Sequence, residues 1–289
     1  MSTNPRDYGA AGDGATDDTA PFEAAATASG GVLRVPQGQY ILKRRLNVRA
    51  VQGEGIGVTE LRWPSDATSA GLRFAPAVDW QHNLCRDMTL STGVAAPAAI
   101  CLDYSAQAVD VGSGNMFTMN HFSPRFYLEN LLLCGIDCVS TGSPFGVSWQ
   151  QGVDVIAAVG GVINAVTYVG QAASPWGAAA GTGFLLRGTN DGLNNGHPDQ
   201  ISLNDCTAHF AVNGIVARQC EGIFIRAANM VACTNGISIT STGSHPQANI
   251  RDSHVNCGAV GISINGQRQA SVAGCLIYCI QQPVANFVG

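Results

Sequence analysis

The chain is expected to fold as an all-β solenoid of stacked parallel coils, and three observations predict it. Gly-Ile steps recur at Gly214, Gly236 and Gly261, 22 and 25 residues apart. Cysteines keep nearly the same beat, with Cys233 and Cys257 just upstream of the last two steps and Cys279 a further 22 residues on. The N-terminal residues pass from a helix signal directly into strand alternation. One coil cannot bury its own apolar face, so coils stack and only the ends need capping.

From the N-terminus, Asp7 to Glu23 reads DYGAAGDGATDDTAPFE. Asp17, Asp18 or Thr19 can cap a short helix over about Thr19 to Ala28, and Pro21 is tolerated in its first turn. Gly30-Gly31 ends the helix. Val32 to Ile41 then alternates as strand, turn and strand.

This order, GDGxTDDT, then a capping helix, then GGxLxVPxGxY, resembles the opening of pectate-lyase-like β-helix proteins, a group that includes phage tailspikes and polysaccharide-processing enzymes. The resemblance implies a single-stranded right-handed parallel β-helix. Residues 1–42 would form the cap and first strands, and residues 43–289 one continuous body with lateral loops. Gly53 to Leu61 looks like the second coil. Asp13, Asp17 and Asp18 are expected to serve turns and caps.

In the C-terminal third the inward ladder is expected to run through the cysteines, with Phe210 in the corresponding place one coil earlier. Ile201, Ile225, Ile250 and Val272 should begin strands with the apolar residue inside. Asn204-Asp205, Asn213, Asn229 and Asn235 suit tight corners, since Asn and Asp tolerate left-handed backbone. Eight to ten coils would make a rod of about 40 to 50 Å. Residues 103–125, 141–152 and 172–200 interrupt the rhythm and are expected to be loops on one flank, where function concentrates in such folds.

Composition narrows the function. Hydrophobic residues make up 46% of the 289 and charged residues only 12%, so much of the surface must be uncharged and polar. Such a surface suits sugars and tight protein contacts. Net charge is −5 and Lys43 is the one lysine, which argues against a groove that tracks nucleic-acid phosphates. No signal peptide or membrane-spanning run is expected. The ten cysteines form no CxxC pair. Cys134-x3-Cys138 and Cys275-x3-Cys279 are expected to be core thiols, with metal half-sites as the alternative.

Glycoside hydrolysis needs two carboxyl groups about 5 to 10 Å apart. The catalytic candidates are Asp199, Asp205 and Glu221 at the edges of consecutive turns, with Asp103 or Asp110 on the first long loop. Arg226 and Arg251, 25 residues apart with Asp252 adjacent, could hold an acidic sugar. Trp149 and Trp176 are substrate-binding candidates, with Tyr104, Phe122 and Phe145 as further stacking surfaces. His197 and His245 form no triad order, and Lys43, Arg44, Arg45 and Arg49 read as a solvated coil edge. No cofactor or metal site is expected, and Ca²⁺ enters only through the lyase activity that the resemblance allows.

Two functions follow. The first is a bacteriophage virion component, tailspike-like or decorating, assembled in the host cytoplasm as a homotrimer with other virion proteins, with cell-surface polysaccharide as candidate ligand. The alternative is a free polysaccharide lyase or hydrolase.

Overall fold

A computed structural model describes residues 2–74, 82–105, 108–110, 116–118, 125–174, 177–188, 198–241, 247–266, 269–279 and 282–285. The cap is built as its small residues require. The Asp18 carboxylate is fully buried and accepts hydrogen bonds from the Ala11 and Gly12 amides at 2.6 and 3.2 Å, while Asp17 accepts from the Thr19 amide at 2.9 Å. The helix Thr19–Ser29 follows and stops at Gly30 in left-handed conformation. Its Phe22 plugs the end of the solenoid, edge-on to Tyr40 at 5.2 Å. Gly12, at φ +63°, lies where a Cβ would meet the Tyr40 ring at 2.7 Å, so the cap closes only around glycine.

Among the described residues the body consists of nine coils wound around three parallel sheets. The first sheet contains Val32–Arg34, Ala50–Gln52, the leading halves of Asn83–Thr92, Phe126–Gly135 and Val159–Val169, then Asp199–Asn204, Glu221–Arg226, Gln247–Arg251 and Gln269–Ala273. The second runs from Asp13–Asp17 and Gly38–Ile41 to Leu276–Cys279, and the third from Leu46–Val48 to Gln282–Ala285. Each coil is a strand, crossover and parallel strand, the connection that winds right-handed. At roughly 4.8 Å per step the rod is roughly 40 Å long.

Inside the first sheet, Leu33, Val51, Cys85, Leu128, Ile163, Leu203, Ile225, Ile250 and Val272 are successive register partners. Eight of these nine are buried, and Val272 on the last rung is half-buried. Ile215, Ile237 and Ile262 stack in the third sheet, and Cys233, Cys257 and Cys279 in the second. Free thiols here behave as small apolar fillers.

The corner between the first and second sheets is one left-handed residue, repeated at Asp87, Asn130, Ala165, Asp205, Ala227, Asp252 and Gly274. Side chain chemistry favours Asn and Asp there, yet Ala165 and Ala227 also occupy it, because pairing on both sides fixes the backbone. Asn213 and Asn229 instead begin strands, and Asn235 lies inside Asn229–Thr240. They link coils side by side, with Asn235 Nδ2 donating to Asn213 Oδ1 at 3.0 Å.

Three expectations change. Phe210 is a left-handed corner residue, and Ala211 fills the buried place beside it. Ile201 pairs with Ile223, so Ile225 and Ile250 lie near strand ends and their in-register partner is Leu203. The irregular segments do not share a flank: the hairpin of 108–110 with 116–118 lies between the third and first sheets, whereas the helix Ile136–Thr141 and the hairpin Gln171–Ser174 with Gly177–Ala180 lie between the second and third. Thr182–Arg187, inside the third irregular segment, is a regular strand with Phe184 and Leu186 buried.

Candidate functional site on the outer face of the first sheet

Alternation along Glu221–Arg226 buries Ile223 and Ile225 and turns Phe224 out between them, 41% exposed. A large apolar ring held out by a rigid strand is the feature of this face that core packing does not explain. Two shallow grooves flank it. The larger, about 480 Å³, is lined by Asp199, Gln200, Ser202, Glu221, Gly222, Phe224 and Gln247. The smaller, about 220 Å³, lies between Phe224 and the last coils, against Gln247, Asn249, Gln269 and Ser271.

The carboxylates of the larger groove come together by register. Asp199 and Glu221 are direct partners on neighbouring coils, both half-buried. Adjacent strands stand roughly 4.8 Å apart, near the roughly 5 to 5.5 Å of a retaining carboxylate pair. Gly222 makes room, since a Cβ there would stand 3.1 Å from Asp199 Oδ1. Further along the axis the same edge carries amides, with Gln247 Nε2 donating to Gln269 Oε1 at 3.3 Å.

Asp205 does not join them. It is the exposed corner residue at φ +51°, six residues along the strand and so roughly 20 Å from Asp199. Arg226 and Arg251 are register partners at the opposite edge of the same face, both exposed. Arg226 Nε lies 3.7 Å from the Asp252 carboxylate, and Arg251 Nε donates to Asn249 Oδ1 at 3.0 Å. A contact so exposed contributes at most about 1 kcal/mol, so Arg226 can turn toward a ligand at little cost.

Trp149 is a core residue, 1% exposed. Its indole donates to the Leu90 carbonyl at 3.2 Å and packs edge-on to Trp63 at 5.6 Å, so no sugar reaches it. Tyr104 is likewise buried and donates to Asn83 Oδ1 at 2.6 Å. Phe145 is exposed, away from the grooves. Trp176, Phe122, His197 and His245 lie outside the described residues, as does the side chain of Asp110. Asp103 closes a turn with Ser105 and pairs with Arg73 at 3.2 Å. Lys43 pairs with Asp66 on the next coil, and Arg44 pairs with Glu23 of the capping helix.

Sequence reasoning missed Phe224, although the alternation Gly-Ile-Phe-Ile-Arg already turns it outward. It also missed Asp154, nearly buried on the third sheet and gripped by Arg187 through two hydrogen bonds of 2.9 and 3.0 Å. Nothing local joins residues 33 apart. Under the helix Ile136–Thr141, the neighbouring Cys134 thiol holds Cys138 below the usual thiol range, while Cys138 and burial push Cys134 up. Among the described residues no group of three or more His, Cys, Asp or Glu side chains is placed to hold a metal ion.

The fold is a parallel β-helix. Residues 2–83, the cap and first coils, match the family model described as rhamnogalacturonase A/epimerase, pectate lyase-like. Among solved structures the chain is similar to an N-terminal fragment of bacteriophage phi29 gene product 12 at 16% identity, with 97% of this chain and 43% of that one covered and a TM-score of 0.43. Tailspike protein 2 of Escherichia coli O157:H7 bacteriophage CAB120 gives 12% identity, 95% and 38% coverage, and a TM-score of 0.45. The A-module of an Azotobacter vinelandii mannuronan C-5 epimerase gives 14%, 98% of both chains, and 0.33. The chain thus spans less than half of either phage protein. Likenesses at this identity concern the fold alone. Comparison with curated proteins finds no match.

Proposed function

We propose that this chain is a bacteriophage virion β-helix that recognises cell-surface polysaccharide on the outer face of its first sheet. The observation that carries the reading is Phe224, an exposed ring on a rigid strand between two grooves lined with amides, hydroxyls and carboxylates. A flat apolar face with hydrogen-bonding groups around it fits a pyranose ring, which presents C–H bonds on one face and hydroxyls at its edge. The virion part of the reading rests on the surface: with only 12% charged residues, it suits close contact with other subunits, and a homotrimer is the assembly expected. No helix of the described residues is long and apolar enough to cross a membrane.

The in-register pair Asp199 and Glu221 supports a second reading, hydrolysis of the bound polymer. One carboxyl would protonate the glycosidic oxygen while the other attacks the anomeric carbon, and water would then release the sugar. Purified protein incubated with capsular and plant polysaccharides separates the two. Binding without new reducing ends supports recognition, whereas reducing ends that vanish in Asp199→Asn and Glu221→Gln support hydrolysis. Polymers that neither bind nor break would sink both.

A further inference from the structure

Beyond Arg187 the described residues include seven Asp, Glu and Arg side chains, and their placement is one-sided. Asp199, Glu221, Arg226 and Arg251 stand on the first sheet, Asp205 and Asp252 are its left-handed corners, and Arg218 ends the third-sheet strand that leads back to it. The second sheet carries none from Leu131 onward. Read from the register, one of its rows is Leu132, Thr167, Thr207, Asn229, His254 and Leu276, and the row beside it is Val169, His209, Val231, Asn256 and Tyr278. Tyr168, Ala208, Met230 and Val255 run between the two rows and are buried in the core, so both rows face outward.

Exposed apolar side chains gather on the same side. Of the ten large ones among the described residues, Leu276 and Tyr278 end the two rows, and Val139, Phe145 and Val147 lie in the segment between the second and third sheets, where Asp137 is the one charge. Apolar exposure joined to a scarcity of charge is the mark of a protein–protein surface. The third sheet continues it, since its outward row Leu185, Val216, Ser238 and Ser263 is uncharged. Two adjoining uncharged faces on one chain are what a cyclic assembly of copies requires, because each copy gives one face to one neighbour and a different face to the other. A single foreign partner would need one face. Neither of these faces sets a like charge against the other or buries a charge without a partner.

We propose that copies of this chain pack side by side with their long axes parallel, the outer face of the second sheet of one against the third sheet of the next. The proposal rests on the homotrimer reading above and adds the surfaces that form it. The first sheet, with its charges and grooves, then faces solvent on every copy.

Light scattering on a sizing column, with the full chain loaded over a range of concentrations, tests it. Val231→Glu sets a carboxylate in the middle of the second-sheet face, and Ser238→Glu sets one on the third. Each should raise the concentration needed for assembly about a hundredfold, because every contact around the axis would then close over an unpaired charge. Tyr278→Glu, at a side chain 62% exposed on the last coil, should act in the same way where packing has least to lose. Val162→Glu is the matched control, the same exchange as Val231→Glu at an outward place on the first sheet, and should keep the wild-type mass. Far-UV circular dichroism checks that each variant keeps its strands. A wild-type trimer that survives Val231→Glu and Tyr278→Glu overturns these surfaces and leaves the trimer standing, and so does dissociation by Val162→Glu to the same extent. Dissociation by Val231→Glu with none by Ser238→Glu overturns the pairing of the second sheet with the third. A monomeric wild type overturns the homotrimer reading and the interface together.

Discussion

Replacing Trp149 by alanine separates a core role from a sugar-binding one. The indole is 1% exposed, contacts Trp63 edge-on at 5.6 Å and donates to the Leu90 carbonyl at 3.2 Å. Truncating a buried Trp to Ala costs about 3 to 5 kcal/mol, and the lost hydrogen bond is worth about 1 kcal/mol of that sum. This is a large share of the roughly 5 to 15 kcal/mol that holds a domain together. Trp149→Phe keeps a six-membered aromatic ring but loses the pyrrole part and its bond, so it should cost at least about 1 kcal/mol and less than Trp149→Ala. Urea titration followed by far-UV circular dichroism measures both. At urea concentrations where Trp149→Phe remains folded, its polysaccharide affinity should equal that of the wild type. An unchanged midpoint for Trp149→Ala, or weaker sugar binding by folded Trp149→Phe, would refute the argument.

Other predictions concern single elements. Cys138, lowered by the neighbouring Cys134 thiol, should alkylate with iodoacetamide with a pH midpoint below that of an ordinary thiol; Cys134→Ala removes that neighbour and should move the midpoint upward. Buried Cys85 and Cys220, whose thiols burial pushes up, should react only on unfolding, as peptide mass spectrometry would show. Gly71→Ala would place a Cβ 2.2 Å from the Ala98 carbonyl oxygen at φ +96°, and should lower thermal stability by about 1 to 3 kcal/mol in a scanning calorimeter. Light scattering on a sizing column should give three chains per particle, and a monomeric mass would remove the trimer.

The sequence made the cap and the C-terminal coils legible because their signals are local. Asp18 and Gly30 act through neighbours close in the chain. The steps at Gly214, Gly236 and Gly261 fall on uninterrupted coils. The middle was not legible, since insertions stretch the interval from Leu84 to its partner Tyr127 to 43 residues and hide Thr182–Arg187 within a Gly-rich stretch. For the site, the shared face of Arg226 and Arg251 follows from period alone. Trp149 could not be placed that way, because its burial depends on Leu90 and Trp63, 59 and 86 residues distant in the sequence. The sequence groups Asp205 with Asp199 at turn edges, but Asp205 is the corner just past the far end of Asp199–Asn204.

The account turns on one face of one sheet, so the most direct measurement is polysaccharide affinity of Phe224→Ala against wild type by isothermal titration calorimetry, with circular dichroism as the check on fold. The account predicts at least a fivefold loss with unchanged strand content, in line with removal of one stacking contact. Equal affinity in the two proteins would contradict it and move the binding surface off the first sheet.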